Sequence, residues 1–402
     1  MAHAFSKVRY GTFDTERWTS HGEAMRMSRW GRTKTRAATV GALAALTAAL
    51  CATSASAAVT QPKQPATGPG GSDYAHAGVR VSSGGTGADA WFAFEPTKPR
   101  PKSASLAIVT HGYYEFSGYA SLAGLIRHTV RKGSVVIYPR WQTAVATPCP
   151  GPIDIEPCMR SEVAGIRGAL AALRSGGRRS VQPRLARADY FGFSFGGIIT
   201  ANLVSRHKAL GLPKPAAVFL DDPHDGGIVA DGEPGLDETL KGIPASTLLE
   251  CHSGAQGVLT TPSTVTPGKD RMGSSCNALF PRLTTIPAKH KDLVMTSPDA
   301  HGTPGLSSAH GVCAGGGGGE FAASDAYDWG FCWKTWDALR SCAASHVDCA
   351  YALGRTPQHR YIGTWSDGVP IVGLKVQQAA PIHPTPVPAR QRAPKKPTRG
   401  AR

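Results

Sequence analysis

The stretch Gly192-Phe193-Ser194-Phe195-Gly196 is the part of this chain best equipped for chemistry. It closes an apolar run over residues 188–193 and opens a helical pattern over 197–206. A serine at a sharp strand-to-helix turn needs glycines on either side, because side chains would collide there, and the turn holds Oγ exposed. The N-terminus of the following helix favours negative charge that develops beside it. Such a serine becomes a nucleophile only when a base takes its proton and a third group orients the base.

Those partners must be carried by the surrounding elements. Residues 77–81 and 88–94 read as short β runs, and 105–110, 134–138, 188–193, 216–220, 246–250 and 293–296 as apolar strands. Residues 119–131 and 161–173 carry helical periodicity, the second with Ser161 as its cap and Ala164, Ile166, Leu170 and Leu173 on one face. Alternating strands and helices with continuous apolar runs predict an α/β fold, a mostly parallel central sheet with helices on both faces. Functional groups in such sheets sit just beyond the carboxyl ends of the strands.

Two further stretches join the serine motif. Thr110-His111-Gly112-Tyr113-Tyr114 follows an early strand, and Gly133-Ser134-Val135-Val136-Ile137-Tyr138-Pro139-Arg140 spans another. With them, residues 77–375 resemble the α/β-hydrolase family, in particular its secreted bacterial esterases and lipases. The resemblance implies an oxyanion hole made by the backbone N–H groups of Tyr113 and Phe195, with His111 orienting the loop. Loss of one such donor typically costs ~3–4 kcal/mol of barrier. It also implies that the base comes last in chain order, after the final strand. His301 is the first histidine there and is assigned as the base; His310, nine residues later, is its rival.

The acid departs from the family pattern. Residues 250–257, after the penultimate strand, hold no carboxylate in the expected turn. Asp221, Asp222 and Asp225 follow the strand at 216–220, where some members carry a relocated acid, and Glu250 ends a later strand. Any carboxylate that reaches Nδ1 would serve. Asp222 is assigned, with Glu250 and Asp225 as alternatives. Read without the family, Asp221–Asp225 is a solvated turn, and it lacks the regular ligand spacing of a calcium loop.

Composition sets the context. The 402 residues are 41% hydrophobic and 18% charged, which excludes disorder throughout. The net charge of +16 invites a polyanion reading, but residues 1–57 carry +5 of it and residues 376–402 carry +6. Residues 1–57 have the anatomy of an export signal: bases up to Arg36, an apolar run over 37–51, then Ala55-Ser56-Ala57. The long basic region points to a true start at Met25 or Met27; an N-terminal anchor helix is the other reading. Residues 58–76 read as a flexible leader, 77–375 as the catalytic domain and 376–402 as a disordered, proline-rich basic tail. Export leaves eight cysteines, and pairing of sequence neighbours gives Cys149–Cys158, Cys251–Cys276, Cys313–Cys332 and Cys342–Cys349.

Five glycines at 315–319 lack the ending of a phosphate loop and read as a flexible loop near the site entrance. The aromatic cluster Phe321, Tyr327, Trp329, Phe331, Trp333 and Trp336 reads as core rather than as an acyl pocket. Taken together, the expectation is a secreted, extracellular serine hydrolase cleaving small-molecule or lipid carboxylic esters through an acyl-enzyme. No metal or organic cofactor, nucleic acid or stable protein partner is expected, and the tail would touch an anionic cell wall weakly. The alternatives are an inactive hydrolase-fold binding protein, motivated by the missing acid, and an amide or peptide hydrolase.

Overall fold

Alternate residues along the apolar runs point to opposite faces of one sheet, and both faces are covered. The computed structural model describes residues 9–12, 58–113, 115–144, 147–148, 155–223, 239–255, 276–314, 324–380 and 382. The strands are β1 (Arg9–Thr12), β2 (Gly78–Gly84), β3 (Trp91–Thr97), β4 (Ser103–Thr110), β5 (Ser134–Pro139), β6 (Gln182–Pro183), β7 (Arg187–Phe193), β8 (Lys214–Asp221), β9 (Leu248–Gly254), β10 (Lys291–Thr296) and β11 (Lys375–Gln377). The helices are α1 (Ala123–Arg131), α2 (Glu156–Ser175), α3 (Phe195–Ser205), α4 (Cys276–Leu279), α5 (Trp333–Ser345) and α6 (Pro357–Arg360). Strand order is β1-β2-β3-β5-β4-β7-β8-β9-β10-β11, with β6 beside β4. From β5 to β10 the pairs are parallel, while β1, β2, β3 and β11 add antiparallel edges. The chain is α/β with a mixed, mostly parallel sheet.

Side-chain alternation assigns the two faces. Val135 and Ile137 pack with Ile166 of α2 and Ile198 of α3 on one side. Val136 and Tyr138 pack with Ile126 of α1 and Trp336 of α5 on the other. Burial on both faces is why these strands read as unbroken apolar runs. Trp336 also donates Nε1–H to Thr129 Oγ1 at 3.0 Å and so ties α5 to α1. Truncating such a buried side chain to alanine costs about 3–5 kcal/mol. Tyr327, Phe331 and Trp333 are buried beside it as core; Phe321 and the glycines 315–319 lie outside the described residues.

Several boundaries differ from the sequence reading. β9 runs on to Gly254, so Glu250 stands in mid-strand rather than at its end. Helix α2 opens at Glu156 with proline in its first turn, and Ser161 is buried inside it rather than capping it. Strand β1 falls in the stretch read as an export signal. Residues 58–76, expected to be a flexible leader, form a fixed strap. Gly70 N–H donates to Asp337 Oδ2 at 3.0 Å, and Tyr74 Oη lies 3.1 Å from His128 Nδ1. The Arg131 guanidinium covers the Tyr74 ring at 3.7 Å. Composition suggested freedom; the hydrogen bonds of the backbone decide otherwise. The tail, too, begins later than expected: β11 pairs with β10, and buried Ile382 exchanges two backbone hydrogen bonds with the Asn277 side chain. Residues 383–402 lie outside the described residues.

Three of the expected disulfides are present, Cys251–Cys276, Cys313–Cys332 and Cys342–Cys349. Cys158 is also disulfide-bonded, and Cys149 lies outside the described residues. Among the described residues no helix is long and apolar enough to cross a membrane.

Candidate active site

β7 ends at Phe193 and α3 starts at Phe195, so one residue makes the whole turn. That residue is Ser194, held at φ +56° and ψ −127°. A non-glycine residue in this region is strained, and it persists only where its surroundings fix it. Ser194 N–H donates to Asp221 O at 2.9 Å, and Ser194 O accepts from Gly197 N–H at 2.8 Å. The flanking glycines are required by contact. A Cβ on Gly192 would sit 2.3 Å from Thr200 Oγ1, and one on Gly196 would sit 2.2 Å from His111 O.

His310 faces this serine. Its Nε2 lies 2.8 Å from Ser194 Oγ, and its Nδ1 lies 3.1 Å from Asp222 Oδ2. Asp222 is buried one residue beyond the end of β8, at φ +47°, with its N–H donating to His252 O at 2.8 Å. Burial alone would push His310 down, but the carboxylates of Asp222, Asp221 and Glu115 outweigh it and the imidazole is raised above its ordinary value. A carboxylate accepts from Nδ1–H, which leaves Nε2 of the neutral ring to take the serine proton.

The structure therefore brings Ser194 and Asp222 together with His310, not with His301. The chain leaves β10 and folds back on itself through the bridge Asp299↔Leu306, which puts His301 on the outward limb. There its Nε2 meets Asp367 Oδ2 at 2.7 Å. Only the second histidine returns to the sheet end. Glu250 is equally remote from this role, because its mid-strand carboxyl is buried against His359 Nε2 at 2.9 Å. Asp225 lies outside the described residues.

The loop expected to hold the oxyanion runs beside Ser194. A Cβ on Gly112 would lie 3.2 Å from Ser194 Cβ, which places the Gly112–Tyr113 peptide beside the nucleophile. The Tyr113 ring meets the Phe195 ring edge-on at 5.4 Å. Glu115 folds back beneath the loop and accepts Gly112 N–H at 2.9 Å. His111 is buried, stacked on Trp141 at 4.7 Å, with its two nitrogens 2.7 Å from Gly112 O and Arg140 O. Burial carries its pKa down to about 4, against the pull of those carbonyls, so the ring is neutral at pH 7 and serves the loop.

Sequence reasoning missed a second buried chain behind the triad. His252 Nδ1 donates to Asp221 Oδ1 at 2.7 Å, and its Nε2 lies 3.1 Å from Thr296 Oγ1. Thr296 Oγ1 is 2.7 Å from Ser308 Oγ, which accepts Ala255 N–H at 2.8 Å. Thus the strand ends of β8, β9 and β10 are tied to the segment that carries His310. The Cys313 sulfur also approaches Asp221 and His252, a set with metal-ligating atoms. That sulfur is bonded to Cys332, however, while the other two groups hold each other.

Glu162 lies under the same end of the sheet and accepts Thr110 Oγ1–H at 2.7 Å. Burial raises its pKa to about 8. An unfolded glutamate titrates near ~4.3, so between these values the native protein keeps a proton that the unfolded chain has released. Stability therefore falls as pH rises through that window, by on the order of 5 kcal/mol in total. Glu162→Gln keeps the acceptor and removes the titration. Its thermal midpoint is expected to exceed wild type by several degrees at pH 9 and to match it at pH 5. Parallel pH profiles of the two proteins would contradict this.

Comparison of the chain with protein-family models and with curated proteins finds no match.

Proposed function

We propose that this chain is a secreted serine hydrolase of the α/β-hydrolase type that cleaves carboxylic esters. One observation carries the reading: an aligned Ser194–His310–Asp222 chain, with contacts of 2.8 and 3.1 Å, on a strained strand-to-helix turn. The mixed, mostly parallel sheet and its covered faces agree with that family, and the disulfides agree with an oxidising compartment. The reading as an inactive binding protein was motivated by a missing acid, and Asp222 supplies one.

In the proposed reaction His310 Nε2 takes the Ser194 Oγ proton as Oγ attacks the ester carbonyl carbon. The carbonyl oxygen becomes an oxyanion facing the N–H groups of Tyr113 and Phe195, the latter the first residue of α3. The C–O bond then breaks, and His310 gives the proton to the departing alcohol. Water repeats the sequence against the acyl-serine, releasing the acid and restoring Ser194.

A fluorophosphonate probe tests this directly. The folded, oxidised protein is expected to label stoichiometrically, and Ser194→Ala is expected to remain unlabelled. An inert wild-type protein would sink the enzyme reading, and label that survives Ser194→Ala would move the nucleophile elsewhere.

A further inference from the structure

Charge in the body of the protein is not spread evenly. Residues 163–214 carry nine Lys and Arg against a single acid, Asp189, a net of +8. The whole of residues 58–375 carries +5, so the rest of that body is net acidic. The bases of this stretch cluster at the end of the sheet opposite the candidate active site: Arg187 and Lys214 open β7 and β8, Arg174 stands in the last turn of α2 and Arg206 follows α3. β8 begins at Lys214 and ends at Asp221, beside the triad. Eight residues of strand put roughly 23 Å between the two ends.

A groove of about 500 Å³ opens there between the C-terminal half of α2 and the segment joining α3 to β8. Arg167, Arg174, Lys208 and Lys214 line it, all exposed, and among the described residues no carboxylate does. Arg167 and Arg174 stand seven residues apart on one face of α2, about 10 Å along the axis. Arg167 Nη2 also holds Leu210 O at 2.6 Å and braces the two walls. Complementing the helix dipole accounts for cations near helix ends, as with Arg174 and Lys208. It does not account for Arg167 in mid-helix or for Lys214 opening a strand.

We propose that this groove binds a flexible, phosphate-bearing polyanion. The cations form a row rather than converging on one point, which suits a repeating charge. Among the described residues no Phe, Tyr or Trp lines the groove and its one imidazole, His207, is buried, so they offer no platform on which nucleic-acid bases could stack. Of the groove's larger apolar residues Leu212 and Leu170 are buried as floor and Leu185 alone is exposed, at 40%, and one leucine is too small an apolar face to seat the groove in a membrane. Binding at this end leaves Ser194 open, and the protein would be tethered to a polyanionic matrix while its other end remains accessible. The inference does not depend on the esterase reading.

The test uses the full chain and fluorescently labelled long-chain inorganic polyphosphate. Four phosphate contacts predict a slope of about −3 for log K against log salt concentration. The variant Arg174→Gln/Lys208→Gln/Lys214→Gln is expected to lose tenfold or more in affinity, with an unchanged thermal midpoint. Arg127→Gln/Lys289→Gln/Arg355→Gln removes the same charge at exposed positions outside the groove and is expected to lose less than threefold. Both variants retain the basic tail, so the tail cancels from the comparison. A smaller loss in the groove variant, or an equal loss in the control, overturns the proposal. So does tighter binding to a length-matched oligothymidylate or to phosphatidylglycerol vesicles than to polyphosphate.

Discussion

His310→Ala is expected to lower kcat on a short p-nitrophenyl ester by on the order of 10⁴-fold or more, while His301→Ala stays within about twofold. The first removes the imidazole that stands 2.8 Å from Ser194 Oγ, the one base in reach of it among the described residues. The second removes a partly exposed ion pair with Asp367, and such pairs contribute about 0–1 kcal/mol. Steady-state kinetics with thermal midpoints measured in parallel would decide, and the opposite ranking would return the base to His301. The pH profile gives a second check. His310 faces Asp222 and Asp221 at the end of β8 and Glu115 in the loop after β4, and their net effect raises it. The acid limb of kcat/KM should therefore lie above the ordinary histidine range near ~6.5. Asp221→Asn removes one of those charges and should move the limb to lower pH.

Asp222→Asn should be nearly as damaging as loss of the base, by roughly 10⁴-fold in kcat. An asparagine can turn its NH₂ toward His310 Nδ1, which makes that nitrogen the acceptor. The proton then sits on Nε2 and points at Ser194, where it cannot receive another. Volume and packing hardly change, so the protein should fold as before. Glu250→Gln is the matched comparison. Burial holds the Glu250 carboxyl well above its ordinary range and so favours its protonated form against His359, and a glutamine N–H can take the place of that O–H. Its kcat should stay within twofold. If Glu250→Gln lost activity while Asp222→Asn kept it, the acid would have to be reassigned.

The sheet was legible because burial on both faces leaves an apolar run for each parallel strand, and these runs locate the strand ends. Ser194 and Asp222 stand directly beyond two of those ends, where the chain has no freedom to lead them elsewhere. His310 stands fourteen residues past its strand, and no periodicity records that the chain first turns outward and then returns. For that reason the nearest histidine, His301, is not the one that the chain brings beside Ser194. Glu250 misled because strand length was read from apolar residues, and β9 continues through His252 and Ser253, polar groups that the interior hydrogen bonds satisfy. The basic groove is present in the composition, but the charged chain ends mask how unevenly the charge of residues 58–375 is placed.

Ser308 and Cys313 fix the short segment that holds His310 from both sides. Upstream, the Ser308 hydroxyl is bound to Ala255 and Thr296; downstream, Cys313 is bonded to Cys332 at the start of α5. In connectivity this is a loop, but the chain on both sides of its imidazole is tied to the strand ends and to α5. Well-oriented intramolecular groups reach effective molarities on the order of 10⁵–10⁸ M, against which a free base in solution cannot compete. The entropy of setting the proposed base beside its serine is thus lost once, when the chain folds and oxidises, rather than again in every turnover.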